Sequence, residues 1–198
     1  ANVIMEFEDI IGDVQLTFKL AKIDPNGNCT EGITRTYWAG TNNADDDAKQ
    51  VVFWDDASYL NIWVVKNIDS SIGAAAYTYV PATGGPSFRH GIIANNEYVG
   101  SIGTGSNSSY VKHTLSHEVG HFFNLEHTWA EWAEVGLSSN CNEDDFVNDT
   151  PNCIGSYSSC NLSSTSCSSL DNVQNFMDYS SCTCMFTAGQ VSRMDASL

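Results

Sequence analysis

The chain is poor in basic side chains: eight Lys and Arg stand against 24 Asp and Glu, a net charge of −16. A nucleic-acid surface needs a basic footprint, so that class of partner is excluded. No apolar run approaches the length of about 18 residues that a membrane helix requires, and no membrane association is expected. No basic-then-apolar leader opens the sequence either. Paired CxxC hooks are missing, so the seven cysteines read poorly as a cysteine-ligated structural zinc. There is no internal repeat and no disordered tail.

What remains is 198 residues, enough for one domain with a real core, divided by a cleft into two subdomains. The acidic excess favours solubility and fits a secreted protein in a salty medium or one that binds calcium. A generally acidic surface without special purpose fits equally well. Opening at Ala1 without an initiator methionine is expected of a mature fragment already freed of its signal and pro-segment. Six of the seven cysteines fall between Cys141 and Cys184, where helix signals are few and Ser, Asn and Asp abound. Disulfides are the natural staples there, which implies an oxidising compartment. The odd count leaves isolated Cys29 as the spare thiol.

Residues 14–20 alternate apolar and polar as a half-buried strand does, and 32–38 read as a second extended segment. Asp24-Pro25-Asn26-Gly27-Asn28 is a strong turn. Residues 45–54 can form an amphipathic helix with Ala48, Val51 and Val52 on one side. The run 59–65 predicts a central strand. Two more strands, 74–80 and 91–94, flank a loop at 81–86. Ser106–Ser109 offer an N-cap to a helix whose Val111, Leu115, Val119 and Phe122 face the core. Past His127 regular structure thins, returning where Thr187 caps a helix over 188–196. Asn107 and Asn161 open Asn-x-Ser triplets, which are frequent by chance.

The densest chemistry lies in His117-Glu118-Val119-Gly120-His121-Phe122-Phe123-Asn124-Leu125-Glu126-His127. His117 and His121 are four apart, so on a helix they share a face and can reach one metal ion. Glu118 projects about 100° away, beside that ion, where a general base for an activated water belongs. Were the helix to continue, His127 would lie about 15 Å further along the axis than His117. For His127 to join them, the helix must therefore stop and turn back. His113 shares the helix face, but one tetrahedral ion cannot take three histidines spread along about 12 Å of a single helix. It is read as a neighbour of the site, and His90 as structural.

This motif, with Asn175-Phe176-Met177-Asp178-Tyr179-Ser180 further on, resembles the metzincin metallopeptidases, whose pattern is HExxHxxGxxH followed by a Met-turn. In that pattern the glycine takes the left-handed conformation that turns the chain back; here Asn124 replaces it, and Asn tolerates that conformation best after Gly. More narrowly the chain resembles the pappalysin family, through Asp24–Gly27, Gly32–Thr36, Leu60–Val65, Thr128, Asp149-Thr150-Pro151, the Met-turn and Met185–Gln190, from about residue 14 to the end.

The resemblance implies that His117, His121 and His127 hold Zn2+ and that Glu118 is the general base. It implies Met177 as a shelf under the metal, and Tyr179 near it with a hydroxyl that stabilises an oxyanion. It pairs Cys141 with Cys167 and Cys160 with Cys182, leaving Cys153 and Cys184 as a third bridge. It places a structural Ca2+ on Asp145 and Thr150 with the carbonyls of Asp144 and Asn148; a solvated acidic turn is the simpler alternative. Relatives selective for basic residues carry an aspartate where this chain has Ser181, so no preference for Arg or Lys carries over.

The expected fold is α/β (α+β) of metzincin type. Residues 1–127 would carry a twisted mixed sheet, a backing helix and the zinc helix; 128–198 would form an irregular, disulfide-stapled subdomain. An extended peptide would add antiparallel to an edge strand around 91–94. The implied function is a secreted zinc metalloendopeptidase, a monomer acting on protein or peptide substrates and held latent by its own pro-segment. Two other readings stay open: a zinc-bearing adhesion or binding module without catalysis, and a zinc hydrolase of non-peptide bonds.

Overall fold

A computed structural model describes residues 2–81, 89–106, 108–130 and 132–198. Most of the expected 81–86 loop, and Asn107, lie outside the described residues. A three-stranded sheet forms from β1 (Ile62–Val65), β2 (Ala76–Tyr77) and β3 (Ile92–Asn95), in the order β1-β3-β2. β1 runs parallel to β3, with Ile62 opposite Ile92. β2 is antiparallel to β3, with Ala76 opposite Ala94. The central strand is therefore β3, not the 59–65 run. Ile92, Ile93 and Ala94 are fully buried, as a strand covered on both faces must be. Ile62 and Val64 on β1 stay half exposed.

The alternating 14–20 run forms no ladder. Val14 and Leu16 pack on the core, while Phe18 and Leu20 face solvent. Alternation makes an apolar face, but a strand also needs a partner for its backbone. The 32–38 segment likewise stays irregular. The Asp24–Asn28 turn forms as read, with the Asp24 carboxylate accepting from the amides of Asn26 and Asn28.

Of the helix expected over 45–54, only α2 (Asp47–Val51) is helical, because Val52 is already extended. That truncation changes its buried side: Ala48 and Lys49 face inward and Val51 is partly exposed. A short N-terminal helix, α1 (Met5–Glu8), buries Phe7. The long helix is two pieces, α3 (Ser109–Lys112), capped by the Ser108 hydroxyl, and α4 (Thr114–Phe122). A hairpin of β4 (Thr165–Ser166) and β5 (Ser169–Leu170) is the only strand pair described beyond His127.

The chain closes with α5 (Ala188–Asp195), whose Thr187 and Gln190 form a reciprocal capping box. Phe123, Leu125, Met177, Phe186 and Met194 make one core beneath the histidine motif; Ala44, Ala48, Val65 and Ile93 make another behind the sheet. The first residues run back over the last, through Gly12 N–H to the Phe186 carbonyl and Ala188 N–H to that of Ile10.

Cys141–Cys167 and Cys160–Cys182 are bridged. The expected Cys153–Cys184 bridge is absent. The Cys153 thiol is buried against the Thr128 carbonyl and hydroxyl, whereas Cys184 faces the Gln174 amide. Two leftover cysteines imply a bridge only if their thiols face each other, and these have separate surroundings. Cys29 is a third free thiol, exposed.

Candidate active site

α4 carries His117, Glu118 and His121, then ends in a complete Schellman turn. Asn124 stands at φ 68°, its N–H donating to the His121 carbonyl, while Leu125 N–H reaches back to Gly120. The reversal brings His127 home. His121 Nε2 lies 3.1 Å from Nε2 of both His117 and His127. A tetrahedral Zn2+ at about 2.0–2.1 Å from each nitrogen needs them about 3.3 Å apart, so the trio fits such an ion.

The far ring nitrogens fix which tautomer faces the centre. His117 Nδ1 donates to the Phe176 carbonyl at 2.7 Å and His121 Nδ1 to that of Leu125 at 2.8 Å. Each ring thereby turns an unprotonated Nε2 inward. Burial pushes His117 down to about 4 and His121 to about 3, so both rings are neutral at physiological pH, as metal ligation would require.

The cleft beside the trio, about 230 Å³, is lined by residues 72–76 leading into β2, by His117 and Glu118, and by Tyr179 and Thr183. Glu118 is buried in that lining. The Tyr179 ring stands 5.3 Å from that of His117 and 4.9 Å from that of His127. His113 is not with the three: it lies 3.2 Å from the Thr183 hydroxyl, edge-on to Phe176. His90 pairs with Asp56.

Met177 is fully buried under α4. A Cβ at Gly120 would stand 2.3 Å from its sulfur, which is why a helix interior tolerates glycine there. A glycine inside a helical pattern is a sequence signal for such close approach. Asn175 holds the turn: its side-chain oxygen accepts from Met177 N–H, and its amide exchanges two hydrogen bonds with Gln190. Trp129 stacks on His127 at 4.5 Å and 8°, a contact no spacing announces. Asp149 caps α5, accepting from Thr187 Oγ1 and Gly189 N–H. Arg193 donates to the carbonyls of Asn124 and Asp145.

In the acidic loop, Asp145 is buried and Asn148 exposed. Asp145 Oδ1 meets Val147 N–H and the Thr150 hydroxyl, while Oδ2 has no hydrogen-bond partner among the described residues. Burial pushes this carboxyl up to about 7.

The fold matches that of mature mirolysin from Tannerella forsythia in complex with a cleaved peptide (TM-score 0.83, 31% identity), over 96% of this chain and 73% of that one. A promirolysin variant from the same organism matches at TM-score 0.80 and 29% identity, over 96% and 64%. An extracellular metalloprotease of Arthroderma benhamiae is 34% identical over 170 residues, 81% of this chain and 59% of the relative. One from Sordaria macrospora is 36% identical over 142 residues, 68% and 46%. The chain thus spans about half the length of the curated relatives it matches. The Peptidase M43 family model, described as pregnancy-associated plasma protein-A, matches residues 42–198. With the metzincin fold and three converging imidazoles in place, that match makes the chain a member of the pappalysin metallopeptidases.

Proposed function

We propose that this chain is the catalytic part of a secreted zinc endopeptidase, with residues 1–127 and 128–198 as the two walls of its cleft. The observation that carries the reading is a buried carboxylate, Glu118, beside three imidazoles whose Nε2 atoms converge, in the lining of an open cleft. His117, His121 and His127 would hold the metal. When bound, Zn2+ polarises the scissile carbonyl and brings the pKa of water towards about 7.

The chain's own residues do the rest. Glu118 accepts the proton of the attacking water and returns it to the leaving amine. The Tyr179 hydroxyl donates to the oxygen that gains charge as the carbonyl becomes tetrahedral. Met177 and Trp129 fix the imidazoles from below and from the side. Glu118→Gln is expected to keep its zinc and lose casein hydrolysis by about 10²–10⁴-fold. A zinc-replete variant cleaving at the wild-type rate would refute the assignment.

Substrates would be extended protein segments. The strand receiving them is β2 rather than the 91–94 strand, since β3 is paired on both sides and β2 borders the cleft. Latency through a pro-segment is in keeping with the existence of a pro-form of the similar mirolysin. Ca2+ is proposed in the acidic loop, on Asp145 Oδ2 and Thr150 with the carbonyls of Asp144 and Asn148. A buried carboxylate oxygen without a partner is the group a hard cation satisfies.

A further inference from the structure

Lys49 is fully buried, and nothing in the chemistry above uses it. A buried ammonium is costly unless its charge and donors are met. Here Nζ donates to the carbonyls of Arg89 at 3.0 Å and Gly91 at 3.3 Å, the two ends of the approach to β3. It stands 4.9 and 4.8 Å from the ring centroids of Tyr77 and Tyr79. The Asp46 carboxylate, 3.7 Å away, completes the cluster. It accepts from the Tyr77 hydroxyl at 3.1 Å and the Tyr79 hydroxyl at 3.0 Å, and pairs with Arg89 at 3.1 Å. The Gly91 carbonyl takes a second donor, the Thr78 hydroxyl, at 2.8 Å.

These bonds converge on a strand that its own backbone holds weakly. The ladder between β2 and β3 is two residues long, too short for independent stability. Residues 77, 78 and 79 are each tied instead through a side chain to Lys49 or to a group Lys49 touches. Among the described strands the other edge of β2 is unpaired, and residues 72–76 line the cleft with His117 and Glu118.

We propose that Lys49 is a positioning residue for the substrate-receiving strand. By clamping the Arg89 and Gly91 carbonyls beside Asp46, its ammonium sets where the open edge of β2 stands relative to Glu118, and hence how tightly an extended peptide pairs with it. This rests on the peptidase reading of the cleft. Burial lowers the Lys49 ammonium to about 8, against the pull of the Asp46 and Glu118 carboxylates, so it still carries charge at neutral pH.

The test uses the whole zinc-loaded chain as wild type, Lys49→Met and the milder Tyr77→Phe. An internally quenched peptide reads KM and kcat, and hydrogen exchange reads the amides of residues 75–79. Lys49→Met should raise KM about tenfold and leave kcat within about twofold. It should speed exchange at 75–79 about tenfold without changing α5. Tyr77→Phe should move both readouts the same way by about threefold, which keeps the test decisive if Lys49→Met does not fold. Unchanged KM and exchange in Tyr77→Phe, or a loss of kcat in proportion to a general rise in exchange, would overturn the proposal. A wild-type chain that cleaves no peptide would instead overturn the peptidase reading, and exchange at 75–79 alone would then decide whether Lys49 holds the strand.

Discussion

Gly120→Ala offers a sharp test of how the helix and the Met-turn fit together. Ala is favoured over Gly inside a helix by about 1 kcal/mol, so the bare helix should gain. In the fold the added Cβ would stand 2.3 Å from Met177 Sδ, 3.2 Å from Phe186 Cε1 and 3.3 Å from Met177 Cε. Met177 is fully buried and cannot swing into solvent. Overpacking of this kind costs about 1–3 kcal/mol, leaving a net loss of up to about 2 kcal/mol and a Tm lower by several degrees, at about 2–4 °C per kcal/mol. Met177→Ala alone should cost about 2–5 kcal/mol. In that background the Gly120 methyl enters space the thioether has left, so the sign of Gly120→Ala should reverse and the double variant should be more stable than Met177→Ala. Urea unfolding of the four proteins at fixed zinc and calcium gives the cycle. Additivity within about 0.5 kcal/mol would refute the contact as the reason for the glycine.

Three further outcomes are expected. Because the folded Asp145 carboxyl titrates near 7, above its unfolded value of 3.8, the unfolded chain ionises first and calcium-free stability declines as pH rises from about 4 to 7. Millimolar Ca2+ should then raise Tm little at about pH 5 and clearly at about pH 7.5, and Asp145→Asn should abolish the gain; a pH-independent gain would exclude this loop. His117 and His121 have the opposite sense: their folded values lie below the ordinary 6.5, so stability of the metal-free chain should fall as pH drops from about 6.5 towards 4, and His117→Gln should flatten that fall. Thiol titration without reductant should find Cys29 reactive in the native protein and Cys153 only after unfolding, three thiols in all; a single thiol after unfolding would restore the third bridge.

The pairing of His117 with His121 could be read from spacing, and the return of His127 from the likeness to the metzincin pattern, because both ingredients are local. A four-residue repeat puts the first two on one face, and an Asn at the helix end supplies the left-handed turn that returns the third. The Thr187 cap was equally local. Partnership across the fold was not legible. Alternation in 14–20 marked Val14 and Leu16 as inward, yet could not provide the backbone neighbour a strand needs. Helical projection over 45–54 assumed a helix long enough to bury Val51 and Val52. The chain leaves the helix at Val51, and the side chain that turns inward is Lys49. The leftover Cys153 and Cys184 matched by count, whereas the direction of each thiol is set by Thr128 and Gln174.

The same distinction explains why the end of the chain matters so much to a site some seventy residues earlier. α5 supplies no described residue to the lining of the cleft, but it and its cap meet several of the irregular pieces around the histidines. Thr187 and Gly189 hold Asp149 at the end of the acidic loop. Gln190 holds Asn175, and through it the peptide of Met177. Arg193 holds the carbonyl of Asn124 at 2.6 Å, on the residue where α4 reverses towards His127. Met194 closes the core beneath Leu125 and Met177. The polypeptide between α4 and α5 has little regular structure of its own, so its backbone groups cannot satisfy one another in long ladders. Two disulfides restrict that stretch, and one capped helix supplies partners for the loops that the disulfides leave open. The geometry of the three imidazoles is therefore a property of two helices, one carrying His117 and His121 and the other fixing the turns that bring His127 to them.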